Sequence, residues 1–219
     1  MTRRTWRPHR RAAIGIAAGL AAFAATAVLA LTQNGAAGSS RPGSFGPEGV
    51  PIPRGRALAP PRRLLAVGER IDGVACQLRE QVLFHIHAHL TIFVRGVARQ
   101  VPAGIGIAPP YEVAATPHGA FVTDAACFMW LHTHAADGII HTESPVERTY
   151  TLGEFFDIWD QPLGRTQVGP AHGRVTALVN GRAFTGTPRA IPLLAHAQIQ
   201  LDVGLPLVKP EQIAFPKGL

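Results

Sequence analysis

The chain has 219 residues, 47% of them hydrophobic and 16% charged, with a formal net charge of +7. Five arginines within residues 1–11 and a net +4 over residues 32–63 account for more than this total, leaving −2 for residues 64–219. The folded part therefore lacks the basic patch that nucleic-acid binding needs, and the charge points instead to membrane orientation.

Arg3, Arg4, Arg7, Arg10 and Arg11 precede an uncharged stretch, 12–31, rich in Ala, Gly, Ile and Leu. About 20 such residues suffice to cross a bilayer as a helix, and a basic flank stays in the cytoplasm. Residues 1–31 are thus expected to form a cytoplasmic flank and a transmembrane signal-anchor, with the lipid bilayer as partner through residues 12–31. A cleaved signal peptide, cut near Ala25-Thr26-Ala27, is the competing reading and would make the protein secreted. Residues 32–63, dominated by Gly, Ser and Pro with no apolar period, predict a flexible linker. Residues 64–219 then form one extracytoplasmic domain, long enough to build a core without staples.

The two cysteines, Cys76 and Cys127, both fall in that domain. An oxidising compartment favours a disulfide between them, which would tie the segments preceding the two histidine clusters. A soft thiolate ligand to copper is the alternative.

The first cluster is His85-Ile86-His87-Ala88-His89, within the alternating run Val82–Val94. Phe84, Ile86, Ala88, Leu90, Ile92 and Val94 share one face of such a strand; His85, His87, His89 and Thr91 share the other. Arg95-Gly96 then predicts a hairpin into Val97–Val101. Histidines two apart on a strand are about 6.8 Å apart along it, so neighbours can share a metal while all three cannot easily do so. One of them joins a second site, or two sites exist, or one orients a ligand.

The second cluster is His132-Thr133-His134, followed by His141-Thr142-Glu143. Phe128–His134 and Ile139–Glu143 read as strands joined by Ala135-Ala136-Asp137-Gly138, a normal hairpin loop. Pairing 134 with 139 sets 132 opposite 141 and 130 opposite 143. His132, His134 and His141 then converge on one face, and a slip of one residue would undo the convergence. Three imidazoles with open positions suit catalysis or ligand capture; a histidine-lined pocket without metal is the bland alternative. Glu143 is a candidate ligand, orienting residue or general acid/base. Asp137 reads as turn chemistry and Met129 as core. His118, His172 and His196 are isolated and carry no assigned role.

Further on, Thr151-Leu152-Gly153-Glu154 is a capping box opening a short helix that ends before Pro162, its aromatics packed on a sheet. Val175–Val179, Asn180-Gly181 and Arg182–Phe184 predict a hairpin, and Gln198–Val203 a further strand. The fold class is mainly β, a sandwich or barrel with one short helix.

The stretches Phe84–Leu90, Val101–Ile107, Leu131-His132-Thr133-His134, Gly138–His141 with Glu143-Ser144-Pro145, and Tyr150–Phe156 together resemble an uncharacterised family of secreted or membrane-anchored prokaryotic proteins. The resemblance spans about residues 70–205 and implies no particular activity. That family often has an acid after the second histidine pair, where this chain has Ala135. His132-Thr133-His134 is also similar to the copper ligand pair of the peptidylglycine and dopamine monooxygenases, without their methionine ligand. Glu143 lies too far beyond His134 for a standard cupin site.

These readings converge on a membrane-anchored extracytoplasmic domain that binds copper or zinc through His85, His87, His89, His132, His134 and His141. The alternative is a metalloenzyme with a three-histidine site, a zinc hydrolase or hydratase or a copper oxidoreductase, with Glu143 handling protons.

Overall fold

The computed structural model describes residues 44–62 and 64–219. The expected signal-anchor at 1–31 lies outside the described residues, as do residues 32–43. No helix among the described residues is long and apolar enough to cross a membrane.

In chain order, β1 (Arg70–Ile71) turns into β2 (Val74–Gln77). The long histidine strand β3 (Phe84–Val94) turns at Arg95-Gly96 into β4 (Val97–Arg99). β5 (Ile107–Thr116) and β6 (Gly119–Met129) form one hairpin; β7 (Leu131–His132) and β8 (Ile139–Ser144) form another. β9 (Tyr150–Thr151) leads into helix α1 (Leu152–Trp159). β10 (Gln167–Val168), β11 (Ala171–His172), β12 (Val175–Val179) and β13 (Arg182–Ala183) follow. A 3-10 turn at Pro188–Ala190 precedes β14 (Pro192–Leu193) and β15 (Gln198–Val203).

The principal sheet runs β13-β12-β15-β3-β8-β7, with β4 also paired to β3. β15 joins β3 in parallel; the other pairs are antiparallel. A second sheet runs β1-β2-β6-β5, and β9–β14 and β10–β11 are small ribbons. The mainly β class with one α-helix therefore holds. The Asn180-Gly181 hairpin joins β12 and β13 as its sequence predicts.

Alternation divides β3 as expected. Ala88, Leu90 and Ile92 enter the main core with Leu131, Ile140, Tyr150 and the helix residues Phe155, Phe156, Ile158 and Trp159. Each buried Leu, Ile or Phe among them contributes about 1.5–3 kcal/mol by leaving water. α1 begins with the predicted capping box on Thr151 and Glu154, and Asp160 closes it in the left-handed region. Met129 is fully buried in the same core, as its parity requires.

The chain passes from the small sheet to the large one at Trp130, between β6 and β7. The strand expected over Phe128–His134 is therefore broken. Backbone pairing with another segment explains the break: Met129 N donates to Gly106 O (2.7 Å), and Thr133 N donates to Ile105 O (3.1 Å). Gly106 allows this approach, because it has φ +69° and a Cβ there would lie 2.3 Å from Leu131 O.

The expected flexible linker is corrected over its second half. Residues 44–62 belong to the compact body of the domain. Val50 is fully buried, and Leu58 and Ala59 nearly so. Leu58 N donates to Gln100 O (3.0 Å), Gln100 N to Arg56 O (3.1 Å), and Trp159 Nε1 to Pro60 O (3.0 Å). A strap of this kind needs no apolar period. A few small side chains and prolines with preset φ hold it extended against the sheets.

Cys76 and Cys127 form a disulfide that joins β2 to β6, and neither is free to act as a thiolate ligand. Closing a loop with a sequence separation of 51 residues stabilises the fold by about 4 kcal/mol in the chain-entropy model. Replacing both cysteines by alanine is expected to lower unfolding stability by roughly that amount, measured by chemical denaturation.

Candidate metal centre

Strand register builds this site. His87 on β3 pairs with His141 on β8, and His141 pairs with His132 on β7. Directly opposed residues on neighbouring strands point to the same face, so the three imidazoles form one row. The next rung sets His85 opposite Glu143. The two histidine clusters, 43 or more residues apart in sequence, thus form one wall.

The hairpin register read from the sequence, 132 opposite 141, is the one found. Glu143 N also donates to Trp130 O (2.8 Å), as the 130–143 rung requires. The rung expected at 134–139 is absent among the paired residues, because β7 ends at His132. Thr133 instead bonds the 102–105 loop through both backbone and hydroxyl. His134 nonetheless stays beside His132, with ring centroids 4.7 Å apart.

Two overlapping groups can each hold a metal ion: His85, His87, His141 and Glu143, and His132, His134, His141 and Glu143. In the first, four ligand atoms close a ring. His85 Nε2 lies 3.1 Å from His87 Nε2, and His87 Nε2 lies 3.2 Å from His141 Nδ1. His141 Nδ1 lies 3.3 Å from Glu143 Oε1, which lies 3.1 Å from His85 Nε2. Metal–nitrogen bonds of about 2.0–2.1 Å give ligand–ligand edges of about 3.3 Å in a tetrahedral site, so this spacing fits coordination.

The second group is the more deeply buried. His132 Nδ1 donates to Met129 O (2.8 Å) and His134 Nδ1 donates to Val122 O (2.6 Å). A carbonyl can only accept, so both Nδ1 atoms carry the proton and both Nε2 atoms present lone pairs. Those Nε2 atoms lie 3.0 Å apart. Glu80 Oε1 lies 3.1 Å from the Nε2 of His134 and 3.8 Å from that of His132. Lone pairs and a carboxylate that converge in this way repel one another unless a proton or a metal cation lies between them. Anchoring the far ring nitrogen to a backbone carbonyl is also how proteins orient metal-binding histidines. Phe121 stacks on His134 at 4.7 Å, and Phe128 lies edge-on to His132 at 5.7 Å.

His141 belongs to both groups. Its Nε2 donates to Glu48 Oε1 (2.7 Å), which leaves Nδ1 facing His87 and Glu143. Burial pulls its pKa down, but the hydrogen bonds to Glu143 and Glu48 outweigh burial and raise it to about 9, so a metal ion taken up at Nδ1 displaces the proton shared with Glu143. Burial and the neighbouring imidazoles lower His87 to about 3 and hold His132 well below its ordinary value. These two rings are therefore neutral at physiological pH, the form in which imidazole binds metal.

Glu143 is 4% exposed. Its Oε2 is buried and has no hydrogen-bond partner among the described residues, and the same is true of Glu48 Oε2. Such carboxylate oxygens are costly unless a cation compensates them. The donor set of imidazoles and carboxylates, with these orphaned oxygens, fits a bound metal ion. The wall reaches solvent at both groups, where the His85 side chain is 37% exposed and that of Glu80 35%.

His89 is the one expected ligand that neither group includes. Its Nε2 donates to Asp137 O (2.9 Å), and burial lowers its pKa to about 4. Asp137 acts as its turn position predicts, with Oδ1 accepting from Ile139 N (3.2 Å). Burial, then the nearby Glu48, raise its pKa to about 8.

Glu48 and Glu80 are the site residues that sequence reasoning missed. Glu48 is the one acid of the basic stretch 32–63, and Glu80 lies just before the alternating run Val82–Val94 and carries no expectation. Nothing local marks either one, since each reaches the histidines through tertiary packing. Glu48→Gln keeps the shape of the side chain but removes the charge that orients His141. It is expected to weaken metal affinity about 10–100-fold, measured by competition with a chromogenic chelator.

Comparison of the chain with protein-family models, curated proteins and solved structures gave no match, so the functional reading rests on the geometry of the site.

Proposed function

We propose that this domain binds a transition-metal ion, copper or zinc, on the histidine wall of its principal sheet. One observation carries the reading. His132 and His134, both deeply buried and both anchored through Nδ1, aim two Nε2 lone pairs at each other from 3.0 Å. Neutral imidazoles with carboxylate support suit either metal. The disulfide accords with an oxidising location. The apolar run at 12–31 with its basic flank supports attachment to the membrane, with the domain outside.

Metal capture or delivery is the leading function, because each group reaches solvent through one partly exposed residue, His85 in the first and Glu80 beside His132 and His134. An ion can exchange past these residues without unfolding the sheet. Catalysis at the same centre is the second reading, and one observation favours it. Glu143 Oε2, buried and unpartnered among the described residues, is placed to take a proton beside the ligands.

Metal analysis of the purified full chain tests the proposal. The wild type is expected to carry near-stoichiometric copper or zinc, and His132→Ala/His134→Ala to lose the inner-group metal. His89→Ala, outside both groups, is expected to keep its metal. Wild-type protein that takes up no metal after reconstitution would overturn the reading. Attachment is tested separately by fractionation. The full chain is expected with membranes after alkaline extraction, and a chain lacking residues 1–31 in the soluble fraction.

A further inference from the structure

The wall offers more ligand atoms than one ion can use. Five imidazoles, Glu143 and Glu80 converge, yet they close around two adjacent points, with His141 and Glu143 common to both groups. The first point is the ring of His85, His87, His141 and Glu143, whose consecutive atoms are 3.1–3.3 Å apart. The second is the triangle of His132 Nε2, His134 Nε2 and Glu80 Oε1, with sides of 3.0, 3.1 and 3.8 Å.

Glu143 stands between them. Its Oε1 lies 3.1 Å from His85 Nε2 but 4.0 Å from His132 Nε2. At bond lengths of about 2.0–2.1 Å, ligands 4.0 Å apart lie almost opposite each other across one ion, which a four-coordinate tetrahedral site does not allow. The other oxygen, Oε2, is buried and has no hydrogen-bond partner among the described residues. Oε1 is thus the Glu143 atom that faces both groups, and Oε2 is a spare donor on the same carboxylate, which together allow the group to bridge two cations.

We infer that the centre is dinuclear: one ion on His85, His87 and His141, a second on His132, His134 and Glu80, and the Glu143 carboxylate bridging them. This inference rests on the metal-binding reading above and assigns Glu80 a role as a ligand. Paired ions bridged by a carboxylate sit about 3.5–4 Å apart in two-metal sites. Glu48, Glu80 and Glu143 compensate most of the charge of two divalent ions, and Phe121 and Phe128 flank the rings of His134 and His132.

The experiment is a metal count with a magnetic readout on the full chain. Protein stripped with chelator is loaded with Cu(II), freed of excess ion, and measured by mass spectrometry and by EPR spin quantitation. Two ions per chain are expected, with an EPR intensity well below the copper content because the bridged ions couple. His85→Ala/His87→Ala and His132→Ala/His134→Ala are each expected to retain one ion and to recover full EPR intensity. Glu80→Gln is expected to weaken only the second ion.

One ion per chain in the wild type overturns the dinuclear inference and leaves the metal-binding proposal standing; no ion overturns both. Two ions that give full EPR intensity in the wild type would overturn the bridge. Should a double variant fail to fold, as judged by circular dichroism, the wild-type count and spin quantitation still decide.

Discussion

The register of three neighbouring strands governs this protein. β3, β8 and β7 are aligned so that His87, His141 and His132 occupy one row, with His85 and Glu143 on the next. Because side chains alternate across a sheet, a slip of one residue in either pairing would turn a whole set of ligands into the apolar core. It would also turn Leu131, Ile140 and Ala88 out of that core. The hydrophobic face and the histidine face therefore enforce each other. The energy that fixes the site comes largely from the apolar side, where the helix aromatics pack.

The polar side is costly and is held by anchors rather than by burial alone. His132, His134 and His141 each give one ring N–H to a fixed acceptor, and the remaining nitrogen is aimed as a consequence. Two of the acceptors are backbone carbonyls, at Met129 and Val122. Both belong to β6, the strand that carries Cys127 and is stapled to β2. The disulfide lies outside the ligand set, yet it stiffens the strand that orients the inner histidine pair. The third acceptor, Glu48, belongs to the strap at 44–62. Its carboxylate can reach His141 only because Val50, Leu58 and the Gln100 hydrogen bonds hold that strap down.

Much of the site was legible because it follows from period-two alternation and a short loop. His85, His87, His132, His134 and His141 could be assigned to one face each, and the 132–141 rung followed from the loop Ala135–Gly138. His89 obeys the same alternation, but it sits one rung beyond the cluster, opposite Ile139, and bonds the turn instead. Parity tells which face a residue occupies, not which neighbours it meets. The break after Met129 was hidden because it is caused by the 102–106 segment pairing alongside, a contact with no local signature. Glu48 was hidden because a segment rich in Pro and Gly reads the same whether it is free or packed.

The sequence by itself determined that this chain has a mainly β domain with a short capped helix, a histidine face and an apolar face on one long strand, and a hairpin that brings three histidines together. These are properties of neighbours along the chain, which alternation and turn chemistry encode directly. Only the tertiary structure decided that the two histidine clusters form a single wall, that Glu143 lies between two ligand groups, and that Glu48 and Glu80 complete them. Each of those facts depends on which strands pair and on which loops fold over them. Such long-range contacts are selected by the packing of the whole core, and no short stretch of sequence carries them.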